Sequence, residues 1–433
     1  MKGTALLMTA LAVAGTLASA QADEVTDWNQ TAFRYTLQTG ANPVATTRLG
    51  AAVHAAVFDA VNGIERRYEP VHVAPAGPPD ASTRAAAVEA AYTVLTGLPP
   101  LPTAPQKGIL DSRRTVALEI IRKQDCPATG ACAAVDSGIA WGHTVAVEIL
   151  AWRAADGIND VIPDYTGGPG AGNWRPTPPG FLPGFGLQYA DMVPWAITSP
   201  SQFHPPGPPA LGSARYTTDF NETKSMGSAT STLRTRDQTV FSYFWNSSTA
   251  PAIWNSVAVN LLQRDGDDGD DDHHHGGHQL LKNARFLALL NMSMADAAIG
   301  CWEAKYTYTF WRPVTAIREA DTDGNPETIQ DPTWTPLLVT PAHPDYPSGH
   351  SCVSGAAGVI LADRFGERTR FSIETDVMLG VVRDYRSFSS ALEEVKNARI
   401  FSGIHFRSAC DDGQALGRSV AGYVLDNALQ RSH

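Results

Sequence analysis

Helical spacing of small and apolar residues recurs along most of this chain, and it restricts the fold more than any other feature. The stretch "VATTRLGAAVHAAVFDAVNGI" (44–64) has that spacing and ends near Gly63. "ASTRAAAVEAAYTVLTGL" (81–98) has Ser82 as a cap and an alanine-rich body. The pattern continues over 105–124 and 134–156, resumes over 214–225, 230–246 and 252–264, and returns after residue 279. There it predicts helices over 279–312, 348–364, 374–386, 390–402 and 408–430. Strand signals are sparse, with no βαβ alternation, no GxGxxG and no internal repeat. The expected fold class is mainly α, a helical-bundle single domain over residues 21–433. The chain's 433 residues are ample for a sizeable core.

Three segments break the pattern. Residues 1–20 have Lys2 as a positive start, an apolar run over 4–17 and Ala18-Ser19-Ala20 as a cleavage site. This predicts a signal peptide cut after Ala20, hence a secreted or periplasmic protein with no membrane span. Residues 162–213 are dense in Pro and Gly. Trp174, Phe181, Phe185 and Trp195 suggest that this loop packs on the body beside a cleft. Residues 264–279, "RDGDDGDDDHHHGGHQ", read as a solvated surface insertion, with a metal site as the sharper alternative. The net charge of −11 excludes a general nucleic-acid binder. Four N-x-S/T sequons, beginning at Asn29, Asn221, Asn246 and Asn291, read as accidental for a bacterial-type signal.

The chemistry concentrates in residues 300–433. "KYTYTFWRP" places Lys305 and Arg312 seven residues apart in an apolar run. On one helix both would share a face. Buried cations without a partner are costly, so either both reach solvent or an anion meets them. In "HPDYPSGHSCVSGAAGVILADRFG" (343–366), Pro347 stops one element and Ser348 caps the next. Gly349 lets a ligand approach the backbone, and free N–H groups at a helix start favour an anion. In "SSALEEVKNARIFSGIHFRSACDDG" (389–413), Ser390 and Glu393 fit a capping box, Arg399 ends that helix, and His405 follows it. Each cation or histidine taken singly has a plain structural reading. Three cations, two histidines and a capped helix start together suit a tetrahedral oxyanion.

Lys305…Arg312-Pro313, Pro347-Ser348-Gly349-His350 and Arg399…His405 resemble, in order, the signature of the vanadium haloperoxidase and type 2 phosphatidic acid phosphatase superfamily. "FWRPVTAI", "HPDYPSGHS" and "HAAVFDAVNGI" are similar to its exported bacterial haloperoxidase-like branch. The resemblance implies a helical bundle with vanadate as cofactor. It implies that Lys305, Arg312, Ser348, Gly349 and Arg399 hold vanadate oxygens. His405 would be the axial vanadium ligand, His350 the acid–base group, and Lys305 would polarise the oxidant. The implied reaction oxidises halide with hydrogen peroxide to a hypohalous acid equivalent, which halogenates a small organic acceptor. The alternative is a secreted acid phosphatase, with His405 as nucleophile and His350 as acid on a phosphomonoester. A degenerate binding or structural member is a third reading, which the complete constellation disfavours. Length favours the haloperoxidase, because the small phosphatases of the superfamily are shorter.

Ala398 and Ala409 depart from the family's third motif, which has Ser before the arginine and Asp four residues after the histidine. Asp411 and Asp412 come late. The departure argues against phosphohistidine chemistry, and a backbone carbonyl is the expected substitute partner of His405. Of five cysteines, Cys126 and Cys132 could close a small loop. If His350 and His405 face one anion, Cys352 and Cys410 come close, so a Cys352–Cys410 disulfide is expected, with Cys301 free. His343 is a candidate for the halide pocket, or equally a loop histidine packed on Tyr346; Trp311 could form the apolar wall, but core packing is the favoured reading.

Overall fold

The computed structural model describes residues 23–126, 132–267 and 276–432. The proposed signal peptide and residues 268–275 of the Asp/His-rich insertion lie outside them. The regular structure of the chain is almost wholly helical. Its first half contains α1 (Glu24–Thr39), α2 (Pro43–Glu65), α3 (Thr83–Gly97), α4 (Ala104–Asp125) and α5 (Ala133–Arg153). After the long loop come α6 (Ala214–Met226), α7 (Arg236–Ser247), α8 (Ala250–Asp267) and α9 (Gly276–Tyr308). The last third holds the short α10 (Pro313–Arg318), then α11 (Gly349–Phe365), α12 (Phe388–Phe401) and α13 (Arg407–Asn427).

Local signals account for most boundaries. Ser82 caps α3 by accepting from the Ala85 amide, as its position predicts. α1 escaped the sequence reading, yet Val25, Trp28, Ala32 and Tyr35 form its buried stripe, and Asp23 caps it through the Thr26 amide. α7 begins later than expected because Thr235 and Gln238 form a capping box. α12 begins at Phe388, with Ser387 as cap and Ser390 at the third position, so the Ser390–Glu393 box is corrected.

One predicted helix is overturned and another is shortened. Residues 374–386 are not helical. β1 (Phe371–Ile373) and β2 (Arg383–Tyr385) form a small antiparallel hairpin, and Phe371 and Ile373 face inward in strand alternation. The helix expected over 279–312 stops at Tyr308. Thr309 adopts a left-handed φ of 47°, and Pro313 keeps Arg312 extended. Lys305 and Arg312 therefore do not share a helical face. They reach one point from the end of α9 and the start of α10.

α11 packs between α13 and α9, and α2 packs on α9 and α3. The α11–α13 approach is close: a Cβ on Gly417 would lie 2.0 Å from the Cys352 carbonyl oxygen. This packing holds the start of α11 beside the α12–α13 connection. That connection turns at Gly403 (φ 75°), where a Cβ would lie 2.4 Å from the Gly227 oxygen. The long loop is fastened to the body by buried charges. The Asp296 carboxylate on α9 accepts from the amides of Trp195, Ala196 and Ile197, and Arg153 donates to the Val193 and Pro194 carbonyls. Of its aromatic residues, Trp174 and Trp195 are buried, whereas Phe181 is 63% and Phe185 36% exposed.

Gly403→Ala adds both strain and a backbone clash, and should lower stability by about 1–3 kcal/mol. Gly422→Ala, where a Cβ meets nothing within 4 Å, should raise it by about 0.5–1 kcal/mol. Denaturant midpoints of the two variants check both signs.

Candidate active site

Lys305, in the last turn of α9, is fully buried. Its ammonium donates to the carbonyls of Pro344 (2.8 Å), Asp345 (3.1 Å) and Pro347. Arg312, equally buried, donates through Nε to the His343 carbonyl (2.7 Å) and through Nη1 to the Ile404 carbonyl (2.6 Å). Nη1 also lies 3.1 Å from Nε2 of His405. Arg399, in the last turn of α12, donates to Asn246 Oδ1 at 3.3 Å and leaves its buried Nε unpartnered. Carbonyl dipoles thus hold Lys305 and orient Arg312, but they do not neutralise either charge.

The opposing charge is scarce. Asp345, 3.8 Å from Arg312, is the one carboxylate paired with these cations among the described residues. Burial pushes its pKa up to about 7 against the pull of Arg312 and Lys305. Burial also lowers Lys305 to about 8 and Arg312 and Arg399 each to about 10. His343, His350 and His405 are held well below the ordinary imidazole range, first by burial and then by the nearby cations. At neutral pH the site therefore combines three cations with neutral imidazoles, an arrangement that favours an added anion.

The start of α11 completes the cradle. Ser348 occupies the cap position, but its side chain makes no capping bond, and its buried Oγ meets only the weakly interacting Cys410 thiol. Gly349 sits against the Trp302 ring. The His350 ring hydrogen-bonds the Trp245 backbone, while Nε2 is unpartnered. His350 Nε2 and Arg399 Nε are thus orphaned polar atoms in one locality, and Ser348 Oγ has no stronger partner than a thiol. Together with the charge excess they fit a small oxyanion such as vanadate or phosphate, for which arginines and amides are suited donors.

His405 has a partner that the motif did not reveal. Its Nδ1 lies 2.7 Å from Asp345 Oδ1, although the contact is not aligned as a hydrogen bond. Arginine carries only donors, so Nε2 beside Arg312 must present its lone pair, and the proton belongs on Nδ1 toward Asp345. The expected backbone substitute for the missing family aspartate is corrected: a carboxylate from the Pro-Ser-Gly-His segment stands there. Ala409 is buried in an apolar cluster, Asp411 pairs with Lys396, and Asp412 pairs with Arg215 and Tyr346.

The Cys352–Cys410 disulfide is also corrected, since both are free and buried. Their sulfurs take different partners. Cys352 contacts Cys301 on α9, whereas Cys410 contacts Ser348 and Ser351 at the start of α11. Cys301 is free as expected, and Cys126 and Cys132 are joined. Trp311 is fully buried in the cluster with Tyr216 and Phe406, away from the site cavity.

Above the anion cradle opens a cavity of about 590 Å³. His343, His350, Arg399 and His405 line it together with Gly349. Lys305, Arg312 and Ser348 are fully buried and do not line it, so they lie behind its wall.

This helical architecture is the fold of the vanadium haloperoxidases. A bacterial vanadium-dependent iodoperoxidase superposes with a TM-score of 0.78 at 24% identity, covering 95% of this chain and 97% of its own. An apo-type bacterial vanadium-dependent chloroperoxidase gives a TM-score of 0.66 at 16% identity, covering 89% and 94%. Residues 285–432 match the family model of the VCPO second helical-bundle domain. Vanadium chloroperoxidase of Curvularia inaequalis is 29% identical over a 171-residue alignment, with coverage of 29% of this chain and 27% of that relative's length. Residues 285–432 are thus similar to the second domain of that family, and the fold over most of the chain is that of its solved members.

Inorganic phosphate, at a hundredfold excess over its Kd, should stabilise the vanadate-free protein by about 2.7 kcal/mol. The gain should shrink between pH 7.5 and 9.5. Lys305, with its pKa lowered to about 8, loses its charge in that interval, and anion binding must then recover the proton. Thermal shifts at the two pH values, with Arg399→Ala as the weakened control, check this.

Proposed function

We propose that the protein is an exported vanadate-dependent haloperoxidase that oxidises halide with hydrogen peroxide. The observation that carries the reading is the convergence of Lys305, Arg312 and Arg399, all buried, on His405 with one carboxylate beside them. Bound vanadate would supply a Lewis acid that activates hydrogen peroxide toward halide. Lys305, Arg312 and Arg399 would neutralise its oxygens, with Ser348 Oγ and the Gly349 amide as further donors. His405 would ligate vanadium through Nε2, with Asp345 holding the ring and its Nδ1 proton. His350, neutral and with Nε2 unpartnered, would take up and return a proton at the site. The likeness in fold to vanadium-dependent peroxidases over most of the chain supports this activity. The N-terminal pattern at residues 1–20 and the Cys126–Cys132 bridge support export.

One observation favours a second reading. The Asp345 carboxylate beside His405 supplies what the Ala409 departure removed, so a phosphohistidine route for an acid phosphatase keeps its orienting acid.

Assays with and without orthovanadate separate the two. Peroxide-dependent halogenation of a dye only with vanadate supports the haloperoxidase. Phosphomonoester hydrolysis that vanadate inhibits supports the phosphatase. His405→Ala should abolish either activity, and a variant that keeps it would refute the site. Asp345→Asn should lower vanadate affinity about 10–100-fold, read as vanadium retained after equilibrium dialysis.

A further inference from the structure

The β1–β2 hairpin carries a second concentration of positive charge, on the outside of the molecule. Strand alternation buries Phe371, Ile373 and Tyr385, and the rings of Phe371 and Tyr385 pack with centroids 5.4 Å apart. The register pairs Phe371 with Tyr385 and Ser372 with Asp384. Arg370 and Arg386 are the next residues outward from the first pair, so two like charges flank one end of the hairpin. Like charges set opposite each other across two strands are unfavourable. Arg264, in the last turn of α8, adds a third, since its Nη1 donates to the Arg370 carbonyl at 2.8 Å. All three arginines are exposed. None pairs with a carboxylate among the described residues. The neighbouring Arg364 and Arg383 do pair, the first with Asp265 and the second with Asp237 and Glu394.

Between the three arginines lies an open cleft of about 590 Å³, lined also by Phe371, Tyr385, Ser372 and Asp384. It shares no lining residue with the cavity above His405. The Ser372 hydroxyl donates to Asp384 Oδ1 at 2.6 Å, and Asp384 Oδ2 accepts from no group among the described residues. A chain of net charge −11 repels polyanions in general, so these unpaired arginines are a local exception to its charge.

We propose that this cleft binds an anionic polysaccharide, with its acidic groups on Arg264, Arg370 and Arg386 and a sugar hydroxyl on Asp384. Guanidinium forks suit sulfate or carboxylate groups, which present two or more acceptor oxygens together. A ligand that offered charge alone would meet Asp384 as a repulsion. A polysaccharide also brings hydroxyl donors, which a carboxylate accepts. The cleft is open, so a long polymer can lie across it without threading. The inference is independent of the haloperoxidase reading, and its test needs no vanadate.

The purified protein is titrated by calorimetry with dextran sulfate, polygalacturonate, neutral dextran and inorganic polyphosphate. Saturable binding of at least one acidic polysaccharide is expected, weaker as salt is raised, with none of neutral dextran. Arg370→Gln and Arg386→Gln should each weaken that binding about three- to tenfold while leaving the thermal midpoint unchanged. Asp384→Asn should weaken the polysaccharide, by loss of its hydroxyl acceptor, and strengthen polyphosphate, by loss of a repulsion. Opposite shifts of the two polymers support a sugar site. The proposal is overturned if neither acidic polysaccharide binds, or if both arginine variants bind as tightly as the wild type. It is equally overturned if Asp384→Asn strengthens both polymers alike, since the cleft would then respond to charge alone.

Discussion

Three buried cations set against one carboxylate are the constraint around which the rest of this structure is arranged. Lys305, Arg312 and Arg399 come from three separate elements, and each is at most 2% exposed. Desolvation of such groups costs several kcal/mol per ion unless opposite charge is near. Asp345 answers part of that demand and is itself strained toward its neutral form by burial. The carbonyls of residues 343–347 and 404 hold Lys305 and Arg312 in place without cancelling their charge. The remaining imbalance favours an added anion.

The scaffold serves that convergence. Close packing of α11 on α13 fixes the helix start that carries Ser348, Gly349 and His350. The turn at Gly403 delivers His405 four residues after the end of α12, so that it lines the same cavity as Arg399. The Pro/Gly-rich loop, clamped by Asp296 and Arg153, supplies the outer wall and converts an anion site into the base of an apolar cavity. Polar groups thus lie below and apolar space above.

The sequence revealed much of this, for physical reasons that differ by residue. Helical periodicity and caps such as Ser82 are local, so the fold class and most helix positions were legible. The cradle residues were legible because each sits in a short contiguous motif. The break at Thr309–Arg312 could have been inferred from Pro313, which disfavours helix in the residue before it. Asp345 was missed as the partner of His405 because the two are sixty residues apart, and their contact exists only once the chain has folded. The same limit defeated the Cys352–Cys410 pairing: nearness along two motifs did not specify which way each thiol points. The segment at 371–385 misled because a short apolar run fits helix and strand alike.

The central claim, that the cationic cradle exists to hold an oxyanion on His405, is tested most directly by a crystal structure of the protein soaked with orthovanadate, using anomalous scattering to locate vanadium. The account predicts one strong peak within bonding distance of His405 Nε2, with oxygens reaching Arg312, Arg399 and Ser348. A fully loaded crystal with vanadium elsewhere, or with His405 left uncoordinated, would contradict it.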